Sequence, residues 1–333
     1  MDKPGQKRKR GRRGGASRPQ MLAALDLGTN NCRLLIASPA RDGTLRIVDS
    51  FSRIVRLGEG VSQSGVLSDD AIERTVAALK ICAQHIKKSG VRRVRAIATQ
   101  ACRQASNAQI LVDRVAEETG IVLNIVSAEE EARLAAIGCA PLIGQEYDGA
   151  LAFDIGGGST EAIWLKREGT MGRASLVHFA SIPLGVMSLA ETNRGSSYAV
   201  MRDAMLARFR AVRREMDKKA NFDLARHHLL GTSGTVTTLA GVAMGLPRYV
   251  RSKVDATWHD CDGILAVVDM LTGLDRAGRA KLGCVGHERA DLIVPGCAIF
   301  SAIQQVWPCA RLRVADRGLR EGILRELMAE ARS

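Results

Sequence analysis

Two carboxylates and three consecutive glycines stand together in Leu151-Ala-Phe-Asp154-Ile-Gly156-Gly157-Gly158-Ser159-Thr160-Glu161-Ala-Ile-Trp-Leu165. Consecutive glycines let backbone N–H groups close round an anion, because no Cβ obstructs the loop or its ligand. Asp154 and Glu161 frame the turn with the oxygen donors that a hard cation such as Mg²⁺ seeks beside phosphate. A plainer reading is a tight glycine hairpin with two solvated acids. Chemistry is favoured because the arrangement occurs twice. In Ala23-Ala-Leu-Asp26-Leu-Gly28-Thr29-Asn30-Asn31-Cys32, Asp26 and Gly28 stand 128 residues before Asp154 and Gly156. A third run of small residues, Gly231-Thr232-Ser233-Gly234-Thr235, leads from an apolar segment into a helix, where free N–H groups and the dipole favour an anion. A capped helix start with a packing glycine accounts for it equally well.

These turns need elements to hold them. Apolar runs on both sides of Asp26–Asn31 and of Asp154–Ser159 predict two strand–turn–strand hairpins, and the repeat predicts two related halves. In the first half, strands are expected over residues 45–57, 91–99 and 121–126. Ser68 followed by Asp69 and Asp70 starts a helix that runs toward Gly90. Further helices are expected over 105–119 and from 128 to about 138. The second half adds a strand over 175–184, a charged helix over 197–219, a strand over 228–230 and a closing strand, turn and helix from 312 to 332. This order predicts an α/β fold. It divides into a tail (1–20), a first domain (21–137 plus about 317–333) and a second domain (138–316), with the last helix returning to the first.

Composition sets the frame. The 333 residues are 46% hydrophobic and 25% charged, as in an ordinary soluble globular protein with room for two domains. No apolar run approaches the roughly 20 residues of a membrane span. Residues 21–25 are too short for a signal-peptide core, so the cytoplasm is the expected compartment. The eight cysteines lack Cys-x-x-Cys spacing and read as reduced core residues. His227-His228 and His259 match no transition-metal motif. Of the net charge of +13, residues 1–20 carry eight basic side chains against Asp2 alone. Such a segment should be disordered. It could touch nucleic acid or another polyanion through counterion release, although a solvated arm needs no partner.

Seven blocks occur in order: Asp26-Leu-Gly-Thr-Asn30, Cys102-Arg-Gln-Ala-Ser-Asn107, Ser127-Ala-Glu-Glu-Glu-Ala-Arg133, Asp154-Ile-Gly-Gly-Gly-Ser-Thr-Glu161, Gly234-Thr235, Pro295-Gly296 and Gly318-Leu-Arg-Glu-Gly322. Together they resemble the exopolyphosphatase / guanosine pentaphosphate phosphohydrolase family over about residues 22–328. The resemblance implies a two-domain fold of the actin, Hsp70 and sugar-kinase superfamily (ASKHA, ribonuclease H-like) with a cleft between the domains. Asp26, Gly28, Thr29 and Asn30 would hold phosphates from one side, and Gly156, Gly157, Gly158 and Ser159 from the other. Glu131 falls where the family's catalytic glutamate sits, Asp154 and Glu161 on its Mg²⁺-site acids, and Arg103 on its phosphate-contacting arginine. Ser233, Gly234 and Thr235 would add phosphate contacts. Ser127-Ala128 stands where members commonly have Ser-Gly, which loosens the alignment of Glu129, Glu130 and Glu131. The chain also stops before the C-terminal helical domains of longer members, which bears on any long-chain processivity they support.

The implied activity is Mg²⁺-dependent hydrolysis of terminal phosphoanhydride bonds of inorganic polyphosphate. Guanosine pentaphosphate is the alternative substrate, and a homodimer is compatible with such a cleft enzyme. Only 6 Phe, 3 Trp and 3 Tyr are present to stack on a guanine, which tilts the expectation to polyphosphate. Phosphoanhydride hydrolysis needs charge stabilisation on phosphoryl oxygens and one group to deprotonate water. The loops, Arg103 and a metal supply the first, and Glu131 the second. Glu129–Glu131 can alternatively be an acidic first helical turn that complements the dipole. A phosphotransferase on the same fold, or a polyphosphate or nucleotide sensor without turnover, are the rival classes.

Overall fold

The computed structural model describes residues 20–40, 44–169 and 173–331. The basic tail expected over residues 1–20 therefore lies, but for Gln20, outside the described residues. Strands β1 (Leu22–Leu27), β2 (Asn31–Pro39) and β3 (Leu45–Ile54) run antiparallel. On the other side of β1, β4 (Arg93–Ala98) and β5 (Leu123–Ile125) lie parallel to it, giving the order β3-β2-β1-β4-β5. The second sheet comprises β6 (Gly149–Ile155), β7 (Thr160–Glu168), β8 (Arg173–Ile182), β9 (His227–Thr232), β10 (Trp258–Asp260) and β11 (Arg311–Val314). Its order is β10-β11-β9-β6-β7-β8. Apart from the added edge strand β10, β8-β7-β6-β9-β11 repeats the first sheet strand for strand, with the same directions. The 128-residue sequence repeat is thus a repeat of architecture.

β1 is buried along almost its whole length, which explains why it reads as a continuous apolar run. One face carries the helix Asp69–Lys88, capped by Ser68, whose hydroxyl accepts from the Ala71 N–H. The other face carries the last helix, Leu319–Glu330, packed on Leu22, Ala24, Leu35 and Ile97. The helix Ala128–Cys139, which follows β5, packs on Ala150, Ala152, Ile163 and Leu165 of the second sheet. The two helices cross where glycines permit backbone contact. A Cβ on Gly138 would lie 1.9 Å from the Gly318 carbonyl oxygen, and one on Gly322 would lie 1.8 Å from that of Leu134.

Two element bounds differ from expectation for local reasons. The helix expected over 105–119 begins only at Ala108 (Ala108–Thr119), and a short helix that was not expected, Gln100–Gln104, precedes it. The Asn107 amide between them both accepts from and donates to the Leu67 backbone, at 2.8 and 2.9 Å, instead of continuing a helix. β3 stops at Ile54 because the next two N–H groups, of Val55 and Arg56, turn to the Asn30 carbonyl at 2.9 and 3.0 Å. That turn fastens the first glycine loop to the strand beside it. All eight cysteines are buried thiols, and among the described residues no helix is long and apolar enough to cross a membrane.

Candidate active site

The two loops are built alike. The Gly28 N–H donates to the Asn31 carbonyl and the Gly156 N–H to the Ser159 carbonyl, each at 2.9 Å, so both turns close over three residues. The N–H groups of Thr29, Asn30, Gly157 and Gly158 donate to no other group among the described residues. Free N–H groups in a concave turn bind anions. The loops meet face to face, and a Cβ on Gly157 would lie 3.1–3.2 Å from Thr29 and Asn30. Behind the second loop, the Val186 and Met187 N–H groups donate to the Gly156 and Gly157 carbonyls at 2.9 and 2.8 Å, which fixes its curvature.

Between the loops lies a cavity of about 120 Å³. Asp26, Gly28, Thr29, Asn30, Glu131, Asp154, Gly156–Ser159, Glu161, Ser233, Gly234 and Thr235 all line it. Ser233 has φ +96°, in the left-handed region that side chains seldom occupy, as it turns the chain from β9 into the helix Ser233–Ala243. Arg103 does not line the cavity. It faces Glu131 instead, with Nη1 donating to Oε2 at 2.7 Å.

The acids fall into distinct environments. Asp154 and Glu161 are directly paired across β6 and β7. Burial, then the Asp154 charge, pushes the Glu161 carboxyl up to about 7, while the Ser159 and Ser181 hydroxyls donate to its Oε1 at 2.6 and 3.0 Å. Burial raises Asp154 and Asp26 as well, with the Arg33 charge the largest offsetting influence on both. The three consecutive glutamates separate cleanly. Glu129 is exposed. Glu130 is held by Arg133 and Arg95, whose guanidinium groups bring its carboxyl down to about 2. Glu131 faces the cleft, and burial together with the Glu161 charge holds its carboxyl well above the ordinary range despite Arg103. The helix start that presents it is capped by Ser127 and tied through Arg95 and Arg133 to Glu326 of the last helix.

The sequence reading passed over Arg33 and Arg289, which also line the cavity. They converge on the start of the Ser233–Ala243 helix. A Cβ on Gly234 would lie 3.7 Å from Arg33 Nη2 and 3.8 Å from Arg289 Cζ. The Arg33 guanidinium makes no hydrogen bond or ion pair among the described residues. Burial and the charge of Arg33 lower the pKa of Arg289. Arg33 was findable, because it follows Asp26 by the same seven residues that separate Glu161 from Asp154 and is the cross-strand partner of Asp26. Arg289 reaches the cleft only through tertiary folding, and no local pattern marks it. Thr99 and Gln100, at the start of the Gln100–Gln104 helix, complete this wall.

The donor set suits Mg²⁺ on chemical grounds. Asp154 and Glu161 supply only oxygen, from adjacent positions on paired strands, and among the described residues no hydrogen bond engages Glu161 Oε2. Among the described residues no group of three His, Cys, Asp or Glu side chains forms a complete metal cage. Mg²⁺ takes one or two carboxylates and completes its shell with water and phosphate.

Comparison with known proteins bears on the family and the fold. The model of the Ppx/GppA phosphatase family matches residues 36–331. The chain is 31% identical over 293 residues to exopolyphosphatase 2 of Mycobacterium tuberculosis, covering 85% of this chain and 89% of that one. It is 28% identical over 313 residues to a putative exopolyphosphatase of Haemophilus influenzae, covering 92% and 91%. The crystal structure of the Aquifex aeolicus Ppx/GppA family member superposes with a TM-score of 0.75 at 28% identity, over 95% of this chain and all of that one. The duplicated sheets are accordingly those of the actin-like ASKHA fold. Built on this fold, with paired glycine loops facing each other across one cleft, the chain belongs to the Ppx/GppA phosphatase family.

Proposed function

We propose that the protein hydrolyses the terminal phosphoanhydride bond of inorganic polyphosphate. One observation carries the reading: Glu131 stands apart from the Asp154–Glu161 pair, on a helix and not on the paired strands β6 and β7, yet opens into the same cleft as both glycine loops. The relatives named as exopolyphosphatases support the substrate class. The four free N–H groups of the loops bind the terminal phosphoryl group from both sides. Arg33, Arg289 and the start of the Ser233–Ala243 helix take the following phosphates, which relieves the repulsion between two arginines that both approach that helix start. Mg²⁺ held by Asp154 and Glu161 would supply charge neutralisation on the phosphoryl oxygens. Glu131, whose buried carboxyl holds a proton more readily than an ordinary glutamate, accepts one from the attacking water. The water oxygen forms the new P–O bond as the bridging bond breaks, and the bridging oxygen leaves with the shortened chain.

Phosphate release from polyphosphates of defined length and from guanosine pentaphosphate, with and without Mg²⁺, tests the reading. Polyphosphate should be cleaved one terminal phosphate at a time, and only with the metal. Turnover of guanosine pentaphosphate alone would replace the substrate, and cleavage of neither would refute the reaction.

A further inference from the structure

Arg103 has five N–H donors, and hydrogen bonds to protein acceptors already use four of them. Nε and Nη2 both donate to Gln100 Oε1, at 3.2 and 2.8 Å. Nη1 donates to the Val126 carbonyl at 3.0 Å and to Glu131 Oε2 at 2.7 Å. One N–H, on Nη2, remains for a substrate oxygen. A guanidinium committed in this way is not free to clamp a phosphate bidentately, and its strongest contact is with the carboxylate beside it. The direction of that contact is set from behind. Gln100 takes the Nε/Nη2 edge, Val126 takes one Nη1 hydrogen, and what remains points at Glu131.

Gln100 is itself held. It opens the Gln100–Gln104 helix directly after β4, one turn before Arg103, so its side chain and that of Arg103 share a helix face. A Cβ placed on Gly158 would lie 3.2 Å from Gln100 Cγ, so the second glycine loop packs on its stem. The side chain thus connects the loop that would hold phosphate to the arginine that holds the proposed base.

We infer that Gln100 is a positioning residue for hydrolysis, fixing the Arg103 guanidinium so that Arg103 in turn orients the Glu131 carboxylate. The inference rests on the reading of Glu131 as the group that takes the proton from water. Gln100 acts through Arg103, and Arg103 chiefly through Glu131, with at most one N–H given to the substrate.

Gln100→Met tests this, because it keeps the side chain's length and removes the acceptor. Misplacing a catalytic group by about an ångström costs roughly a hundredfold, and a guanidinium loosened on one edge should cost about tenfold. The expected result is a kcat for polyphosphate about tenfold lower with KM within about twofold. Adding Gln100→Met to Arg103→Ala should cause no further fall, since residues acting through one group are not additive. A KM that rises with kcat unchanged would make Gln100 a substrate contact. An additional tenfold loss in the Arg103→Ala background would give it a role of its own. Either result overturns the inference. A second readout does not depend on turnover. The Arg103 Nε–H signal in ¹⁵N spectra, assigned by its loss in Arg103→Lys, should be protected from exchange in the wild type and lose that protection in Gln100→Met. An unchanged signal refutes the inference, whatever the activity. If the wild type releases no phosphate, the reaction has been misread and this signal still decides the role of Gln100. Gln100→Asn, which withdraws the acceptor by one methylene, replaces the Met variant if that one does not fold.

Discussion

Glu161→Gln isolates what the buried acid pair costs the fold. Glu161 is 4% exposed, and burial beside Asp154 moves its carboxyl from an ordinary 4.5 to about 7. In the window between those values the folded protein keeps a proton that the unfolded chain has released. Stability contributed by this group is therefore full below about pH 4.5 and is lost as the pH rises through 7. A gap of about 2.5 in pKa, at about 1.4 kcal/mol each, makes the loss roughly 3 kcal/mol. Gln keeps a carbonyl oxygen for the Ser159 and Ser181 hydroxyls and carries no charge. Urea unfolding in EDTA, at pH 4 and pH 8, of wild type and variant should show the two close together at the lower pH. At the higher pH the variant should be the more stable by up to roughly 3 kcal/mol. Taking the difference between the proteins cancels the titrating groups that Glu161 does not touch, while the Asp154 and Glu131 carboxyls, which interact with it, remain in the difference. Millimolar Mg²⁺ should raise the stability of the wild type at pH 8 and leave the variant little changed, because a ligand stabilises only the state that binds it. If the difference between wild type and variant were the same at both pH values, the electrostatic account of the pair would be wrong.

Other outcomes follow from the same packing. Gly138→Ala and Gly322→Ala each place a Cβ under 2 Å from a backbone carbonyl oxygen at the helix crossing. Backbone cannot swing aside as a side chain can, so each should destabilise by about 1–3 kcal/mol in denaturant melts, with loss of phosphatase activity at 37 °C. Arg33→Ala and Arg289→Ala each remove a cation from the path assigned to the following phosphates. Each should raise KM for polyphosphate about tenfold or more while moving kcat less, as fits the loss of one charge-assisted hydrogen bond of about 1.5–3 kcal/mol. Steady-state kinetics at fixed ionic strength separates the two constants.

The loops were legible in the sequence because backbone chemistry leaves a compositional mark. A turn that must expose N–H groups to an anion needs glycine and small polar residues, and its repetition at Asp26 and Asp154 disclosed two halves that the strand order repeats. Capping at Ser68 was equally legible, and its hydroxyl accepts from the third residue of its helix. Long-range packing was not. Asn107 looks like an ordinary polar residue until Leu67 is beside it, so the break between the helices at 100–104 and 108–119 could not be read. The division of labour among Glu129, Glu130 and Glu131 depends on Arg95, Arg133 and Arg103, of which Arg95 and Arg103 come from other elements. Arg289 comes from a segment whose local sequence has no relation to the loops it faces.

The central claim is that one carboxylate, set apart from the metal-type pair, takes the proton from water. Phosphate release from polyphosphate by Glu131→Gln, beside wild type in saturating Mg²⁺, tests it most directly. A general base contributes about 10²–10⁴ in rate, so kcat should fall by that much while a fluorescent polyphosphate still binds with an affinity near that of the wild type. Turnover retained within a few fold of the wild type would contradict the claim.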